Sequence, residues 1–411
     1  MKWKLLLGLA LSAQLTAQPL VGGNWDDFNR AQLNQLLQEY GRSGPHYQAD
    51  RPPYAVFDWD NTSIFLDVEE AAFNYQVAQL RFLATPDQLQ QAIRVGVPTG
   101  AFASQFDNQA GRSISIETCA TDIVESYRWL YEHYAGLNGH QSLEQVKQSP
   151  HYGNFTSKIR YLYEALDGTF GAPVSYPWIT HMFTGMTRSQ VAALTHEAIV
   201  AELAAPIAKI TWTSPSELPG RAGVVSVTWN SGLRLVPEMQ QLYGALRAQG
   251  FDVWVCSASF VDVIEEISGN SAFGYNHPTE RVLAMELERD HEGRILTQTR
   301  VGYEQTHGPG KTQAIRRRLV ARYGYGPILV AGDSEGDQNM MQDFPDTRKV
   351  LIVNRLRSPQ SIIGQLCRQA QASYGRADAK YLLQGRDDNS GLFRPSPASL
   401  PLGAEQAKIL P

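Results

Sequence analysis

The sequence predicts an α/β fold in which helices cover a parallel sheet, with a mainly helical region inserted after the first core strand. After residue 222, short apolar runs alternate with amphipathic stretches, as in parallel strands joined by helices. Residues 68–222 instead contain long helical stretches rich in Ala, Leu, Tyr and Gln, with few strand signals. A chain of 411 residues is long enough for two domains.

The first residues have the pattern of a secretory signal peptide. Lys2 and Lys4 precede an apolar run over residues 5–13, and Ala17 offers a cleavage site. The run is shorter than the roughly 20 residues of a membrane span. We therefore expect residues 1–17 to be removed on export to the periplasm or the medium, and we expect no stable membrane insertion.

The net charge limits which binding partners are possible, and the cysteine content limits which disulfides can form. A formal net charge of −5 argues against nucleic-acid binding, which needs a basic face, but not against an anionic substrate held with a metal ion. Cys119, Cys256 and Cys367 allow at most one internal bridge. Cys256 lies in an apolar stretch, so Cys119–Cys367 is the pairing to consider, and the sequence leaves it open. It also leaves the oligomeric state open.

The elements follow in order. Residues 24–42 form an amphipathic helix that ends near Gly41, and Tyr54–Phe57 is a buried strand. In the insertion, helices are predicted at 68–84, at 120–135 and after the capping box Thr187-x-x-Gln190. The second half contains helices at 236–249, 260–267 and 311–323, strands at 251–256, 327–331 and 350–353, and a hairpin at 282–298. We assign residues 18–67 and 223–411 to the core, with a polar tail after 375, and 68–222 to the insertion.

Polar residues directly follow two of the predicted strands. Asp58-Trp-Asp60-Asn-Thr62 comes after the first strand, and Gly332-Asp333-Ser-Glu-Gly-Asp337 after a later one. Two carboxylates two positions apart can act as a nucleophile and a general acid, although a simple Asx turn explains an isolated motif equally well. Asp333 is placed to bind Mg²⁺, which prefers carboxylate oxygens.

Two more polar residues complete the pattern. Ser257 ends the strand 251–256, and Lys311 opens a helix after Gly308-Pro-Gly310. Each residue alone is commonplace, as a turn former and as a surface cation. Because the carboxyl ends of parallel strands meet at one edge of the sheet, we expect all four clusters to converge there.

In this order, DWDNT, VWVCS, GPGK and VAGDSEGD resemble the phosphatases of the haloacid dehalogenase superfamily. The resemblance covers residues 54–67 and 225–355. It implies a Rossmann-like core, with the helical insertion in the position of that superfamily's cap domain.

The resemblance also implies roles. Asp58 would attack phosphorus to form an aspartyl-phosphate, and Asp60 would protonate the leaving alcohol and then activate water. Thr62 would position Asp60. The phosphoryl group would be contacted by residues of three motifs: Thr62, Ser257 and Lys311. Mg²⁺ would be held by Asp58, Asp333 and the backbone carbonyl of Asp60, while Asp337 would orient Lys311 or a metal-bound water. An acid two positions after the nucleophile favours a phosphatase over a dehalogenase or an ATPase.

Within the superfamily, DWDNTSIFLDVEE and the stretch 232–259 are most similar to exported phosphorylcholine phosphatases, and more broadly to phosphoserine phosphatases. This similarity implies a small phosphate monoester that bears an amine, such as phosphocholine. Acidic residues at the start of the cap would receive the ammonium group: Asp67, Glu69 and Glu70. Tyr75 or Trp129 would add cation–π contacts. The alternatives are a phosphatase of broad, phosphoserine, nucleotide or sugar-phosphate specificity, and a non-catalytic exported binding protein of the same fold.

Overall fold

A six-stranded parallel sheet lies at the centre of the computed structural model, which describes residues 20–410. The predicted signal peptide, residues 1–17, lies outside the described residues. The strands are β1 Tyr54–Phe57, β2 Ile64–Phe65, β3 Ala208–Thr213, β4 Ser226–Ser231, β5 Arg234–Leu235, β6 Asp252–Phe260, β7 Val282–Met285, β8 Leu287–Arg289, β9 Ile295–Thr299, β10 Leu329–Gly332, β11 Lys349–Val353, β12 Tyr381–Gln384, β13 Arg386–Asp387 and β14 Leu392–Phe393.

The helices alternate with these strands after the insertion. They are α1 Asp27–Tyr40, α2 Val68–Ala78, α3 Pro86–Ala92, α4 Ile116–His133, α5 Leu143–Val146, α6 Pro150–Phe170, α7 Ala172–Thr180, α8 Arg188–Ala204, α9 Pro237–Ala248, α10 Val261–Gly269, α11 Pro309–Ile315, α12 Ala321–Tyr323, α13 Gln338–Gln342 and α14 Ile362–Ala372. Within residues 20–410, none of them combines the length and the hydrophobicity that a membrane span requires.

The central strand is β1. The strand order is β12-β11-β10-β1-β6-β7, and Phe57 is paired with Ala331 of β10 on one side and Val255 of β6 on the other. Its four side chains alternate between two hydrophobic clusters: Ala55 and Phe57 join one, and Tyr54 and Val56 the other. Both faces of the sheet are therefore covered, which is why β1 has no polar residue until it ends at Asp58.

The predicted α/β fold with a helical insertion is confirmed. One local prediction was wrong. Val282–Met285 was assigned to a hairpin, but its four buried apolar residues make it the edge strand β7 of the main sheet, and the hairpin is the pair β8–β9. The sequence assigned no strand to the polar tail, where Tyr381–Gln384 pairs with β11 as the sixth strand.

The inserted region has its own hydrophobic cluster, built mainly from α2, α4, α6 and α7. The antiparallel pair β3–β4 packs on this cluster. In the sequence its two strands lie on either side of residue 222, where we placed the end of the insertion. Helix α8 joins the core cluster instead. Strands β2 and β5 pair with each other where the chain leaves and re-enters the core, and we call this pair the neck.

The three cysteines are free thiols. Cys119 is buried in the cluster of the inserted region, whereas Cys256 and Cys367 are buried in one cluster of the core. The Cys119–Cys367 pairing is therefore wrong, because the two residues belong to separate hydrophobic clusters. Burial raises the pKa of the Cys119 and Cys256 thiols to about 12, so they are unreactive while the protein is folded.

We expect the protein, purified without reductant, to show three reactive thiols per chain after denaturation in guanidinium chloride, and almost none before. Burial is the reason for the difference. Titration with a thiol reagent before and after denaturation measures both numbers, and reductant should leave the melting temperature unchanged. A count of one thiol after denaturation would show that a disulfide is present.

Candidate active site

A cavity of about 170 Å³ opens at the carboxyl edge of the sheet, between the core and the inserted region. Asp58 enters it from the end of β1, Asp333 from the end of β10, and Arg355 from the loop after β11. Lys311 reaches it from the first turn of α11. The predicted convergence of strand ends therefore brings these side chains into one cavity.

Asp58 is held on both carboxylate oxygens. Its Oδ1 accepts a hydrogen bond from Lys311 Nζ at 2.5 Å, and its Oδ2 accepts one from Thr62 Oγ1 at 2.9 Å. Its backbone N–H donates to the carbonyl of Ala331, so the parallel ladder continues one residue past β1. Asp58 is 6% exposed, and this exposure is toward the cavity.

Lys311 links two carboxylates. Its ammonium also donates to Asp337 Oδ1 at 2.7 Å. The other oxygen of Asp337 accepts the backbone N–H groups of Asp333 and Ser334, which fixes the loop after β10. Burial alone would lower the pKa of Lys311, but Asp337 and Asp58 outweigh it and the pKa is raised. Lys311 therefore stays charged.

Asp60 has a different environment. Its Oδ1 accepts from the backbone N–H of Val68 at 2.8 Å, and its Oδ2 accepts from Ser259 Oγ at 2.7 Å. Burial raises the pKa of Asp60 to about 6, although both hydrogen bonds oppose the shift. A carboxyl group with a pKa near neutrality can both give and take a proton, which is what an acid–base catalyst requires.

A metal ion fits between three of the carboxylates. One oxygen each of Asp58, Asp333 and Asp337 lies within 4.8 Å of the others. Such hard oxygen donors suit Mg²⁺. Burial would raise the pKa of Asp333, but Arg355, whose Nη1 is 2.7 Å from Asp333 Oδ2, together with Arg357 and Thr62 outweighs it, and the pKa is lowered. The geometry brings in Asp337, which the sequence placed only in a supporting role.

Thr62 and Ser257 differ from expectation. Thr62 donates to Asp58 and could equally donate to Asp333 at 2.9 Å, and it makes no hydrogen bond to Asp60. Ser257 is fully buried and accepts from the backbone N–H of Ser259 at 3.1 Å. Neither Thr62 nor Ser257 lines the cavity, whereas Ser259 does. The phosphate contacts of Thr62 and Ser257 stay predictions, and the hydroxyl that lines the cavity is that of Ser259, two residues beyond Ser257.

The three acids at the start of α2 all line the cavity. Asp67 caps the helix by accepting from the N–H of Glu70, Glu69 accepts from the N–H of Phe260, and Glu70 pairs with Arg160 at 2.8 Å. Burial, followed by the charge of Asp60, raises the pKa of Asp67 to about 8. Burial also raises the pKa of Glu70 to about 7 and that of Glu69 well above its usual value. A cation in the cavity would favour their charged forms.

The aromatic residues of the cavity are not the ones expected. Tyr75 bonds to Glu197, and Trp129 is stacked between His133 and His151 in a separate groove. The cavity is lined by Tyr163 of α6 and Tyr176 of α7. Helical periodicity marks these residues as buried but does not indicate that they face a cavity.

Sequence reasoning also missed Arg355 and Arg357. Both line the cavity, and both guanidinium groups approach Asp333, at 2.7 and 3.9 Å. The available signal was their position directly after the strand 349–353, where the other site residues also follow strands. His307, to which the sequence gave no role, lines the cavity edge-on to Tyr176 at 5.3 Å.

The chain is similar to a known family, a named relative and a solved structure. Residues 177–342 match the model of the haloacid dehalogenase-like hydrolases. The chain is 23% identical over 400 residues to a phosphorylcholine phosphatase of Pseudomonas aeruginosa, covering 91% of this chain and 93% of that one. A conserved protein of unknown function from Anaerococcus prevotii is 31% identical, with a TM-score of 0.86 over 93% of this chain and 98% of that one.

The parallel sheet with the acidic cavity at its carboxyl edge is the fold of the haloacid dehalogenase-like hydrolases, the family whose model matches residues 177–342. The match and the relative together support a phosphatase, a phosphoric monoester hydrolase.

We expect the Lys311→Met variant to lose about 3–5 kcal/mol of stability in metal-free buffer, because Asp58 and Asp337 lose their shared buried partner. The free energy of unfolding from urea titration measures this. The Lys147→Met variant removes a surface ion pair with Glu144 and should change stability by less than about 1 kcal/mol. Equal stability of the two variants would contradict the prediction.

Proposed function

We propose that the protein is a Mg²⁺-dependent phosphomonoesterase that acts through an aspartyl-phosphate on a small, amine-bearing ester such as phosphocholine. The observation that carries this proposal is the charge of the cavity. Its wall contains seven carboxylates against three strongly basic side chains, Lys311, Arg355 and Arg357. A phosphoryl group brings about two more negative charges. The balance therefore favours a divalent cation and a cationic leaving group.

Asp58 is the proposed nucleophile. Its carboxylate oxygen attacks phosphorus, the bond from phosphorus to the ester oxygen breaks, and the leaving oxygen takes a proton from Asp60. Asp60, now a carboxylate, takes a proton from water, and the resulting hydroxide attacks phosphorus. The bond to Asp58 breaks, and phosphate leaves with both aspartates restored. The pKa of about 6 suits Asp60 to this alternation.

The carboxylates that would hold Mg²⁺ are those of Asp58, Asp333 and Asp337, together with the Asp60 carbonyl that the motif implies. When bound, the ion offsets negative charge on the phosphoryl oxygens as the transition state forms. Lys311 contributes a second, fixed positive charge beside Asp58. The nucleophile can therefore approach an anionic substrate.

The amine would lie against the three acids at the start of α2. Asp67, Glu69 and Glu70 line the same cavity as Asp58, and Tyr163 and Tyr176 supply aromatic surface. The acids would stabilise a quaternary ammonium group through their charge, and the aromatic rings would stabilise it through cation–π contact. The P. aeruginosa relative is named for this class of substrate.

We also propose that the protein is exported. The basic start and the apolar run before Ala17 support this. N-terminal sequencing of the protein recovered from the producing cells should begin at Gln18. A protein that retains Met1 in the cytoplasm would contradict export.

In the presence of Mg²⁺, the purified enzyme should release phosphate faster from phosphocholine than from phosphoserine, since phosphoserine adds a carboxylate to an acidic cavity. Chelation of the metal should stop turnover, and so should Asp58→Asn, which keeps the shape but removes the nucleophile. Phosphate release measures all three effects. Equal rates with phosphocholine and phosphoserine would contradict recognition of the amine and would indicate a phosphatase of broad specificity. Ligand binding without turnover would refute the mechanism.

The Glu69→Gln and Glu70→Gln variants should raise KM for phosphocholine about 10- to 100-fold, the usual worth of a hydrogen bond or ion pair to a charged group. Glutamine keeps the size and the acceptor oxygen. KM for 3,3-dimethylbutyl phosphate, in which carbon replaces the quaternary nitrogen, should change little. Glu125→Gln, on the exposed face of α4, is the matched control. A similar rise in KM for both esters would assign the two glutamates a structural role.

A further inference from the structure

The C-terminal tail, residues 385–410, returns to the edge of the sheet that carries the site. Asn354 Nδ2 donates to the carbonyls of Pro397 and Ile409, at 2.8 and 2.9 Å, and Ser399 Oγ donates to the Asn354 carbonyl at 2.6 Å. Gly391, at φ 73°, packs so closely on the neck that an added Cβ would lie 2.6 Å from Arg234 Cγ. The tail is thus tied both to the loop before Arg355 and to the neck.

Arg386 extends from the tail to the loop that follows Asp58. Its guanidinium Nη1 donates to Asn61 Oδ1 at 3.1 Å, its Nε lies 2.7 Å from Asp388 Oδ1, and its charge lies 4.9 Å above the ring of Phe65. Arg386 is 6% exposed and does not line the cavity. It therefore contacts the loop on the side that faces away from the cavity.

Asn61 is the residue of this loop that Arg386 contacts. It has a φ of 62°, in the left-handed region that Asn adopts more readily than most residues but only as single, locally stabilised positions, and its N–H donates to the carbonyl of Leu66 at 3.0 Å. It lies between Asp60, which carries the raised pKa, and Thr62, which bonds to Asp58. A change in the backbone at Asn61 would therefore displace both neighbours.

We propose that Arg386 is a positioning residue: by holding Asn61 in its left-handed conformation, it keeps Asp60 and Thr62 in place around Asp58. This rests on the proposed roles of Asp58 and Asp60. The C-terminal tail thereby becomes part of the catalytic apparatus without touching substrate.

The surroundings of Arg386 support this role. Burial, followed by the nearby charge of Arg355, lowers the pKa of Arg386 to about 10, and Asp388 offsets the effect only in part. A hydrophobic side chain would fill such a buried position at lower cost than a charge. The guanidinium bridges two groups, Asn61 and Asp388, which an apolar residue cannot do.

A double-mutant cycle with p-nitrophenyl phosphate and Mg²⁺ tests the proposal, and this ester makes the result independent of amine recognition. We expect Arg386→Gln to lower kcat about 10- to 100-fold with little change in KM, the usual effect of misplacing catalytic groups by about 1 Å. Asn61→Gly tolerates the positive φ but removes the acceptor, so it should lower kcat similarly. Adding Arg386→Gln to Asn61→Gly should then lower kcat no further.

Two more variants separate positioning from folding. Arg386→Lys keeps the charge beside Asp388 but cannot bridge both partners, so its kcat should lie between those of the wild type and Arg386→Gln. Arg376→Gln removes an exposed pair with Asp378 in the same region and should leave kcat unchanged. Losses that multiply in the double mutant, or a loss explained by unfolded protein in near-UV circular dichroism, would overturn the proposal. Turnover by Asp58→Asn would instead refute the nucleophile assignment.

Discussion

The ammonium of Lys311, buried between Asp58 and Asp337, is the interaction on which the rest of the site depends. Two like charges about 4 Å apart cost about 4 kcal/mol at the effective dielectric constant of a partly buried site. One carboxylate oxygen each of Asp58, Asp333 and Asp337 lies within 4.8 Å of the others. Lys311 offsets two of the three, and Arg355 offsets the third. The edge of the sheet can therefore hold several acids while each one stays fixed by hydrogen bonds.

This arrangement requires strands that end at the same level, and the core provides them. Strand β1 lies between β10 and β6, and both of its faces are covered by hydrophobic clusters. Its backbone is therefore held in place, and so is Asp58, which follows it directly. The same order explains why the sequence predicted the central part of the site. Apolar runs that stop abruptly at polar residues mark strand ends, and parallel strands bring those ends together. Asp58, Asp60 and Asp333 were found in this way, whereas Lys311 was found at a helix start and the acids of α2 through the family resemblance.

What could not be predicted comes from contacts between elements. Tyr163 and Tyr176 lie on helices whose periodicity shows burial but not which neighbour they face, and Arg386 reaches Asn61 across more than three hundred residues of sequence. Strand β12 was missed because four residues in a polar tail give little signal until β11 pairs with them. Ser257 and Thr62 show a finer limit: a motif indicates that a hydroxyl is near the site, but the local turn decides whether it faces the cavity or supports a neighbour.

The two walls of the cavity are built from different parts of the chain. The wall around Asp58 is made by strand ends of the core, and its chemistry is fixed by the sheet. The wall that would meet the leaving group depends on the inserted region: Arg160 pairs with Glu70 while stacking over Tyr163 and Trp229, at 5.2 and 5.1 Å. The position of α6 therefore sets how much negative charge Glu70 presents. The proposed reaction type rests on motif residues at the strand ends of the sheet, which the sequence alone marks. The proposed substrate preference depends on how the inserted helices pack over that edge, which the sequence does not show.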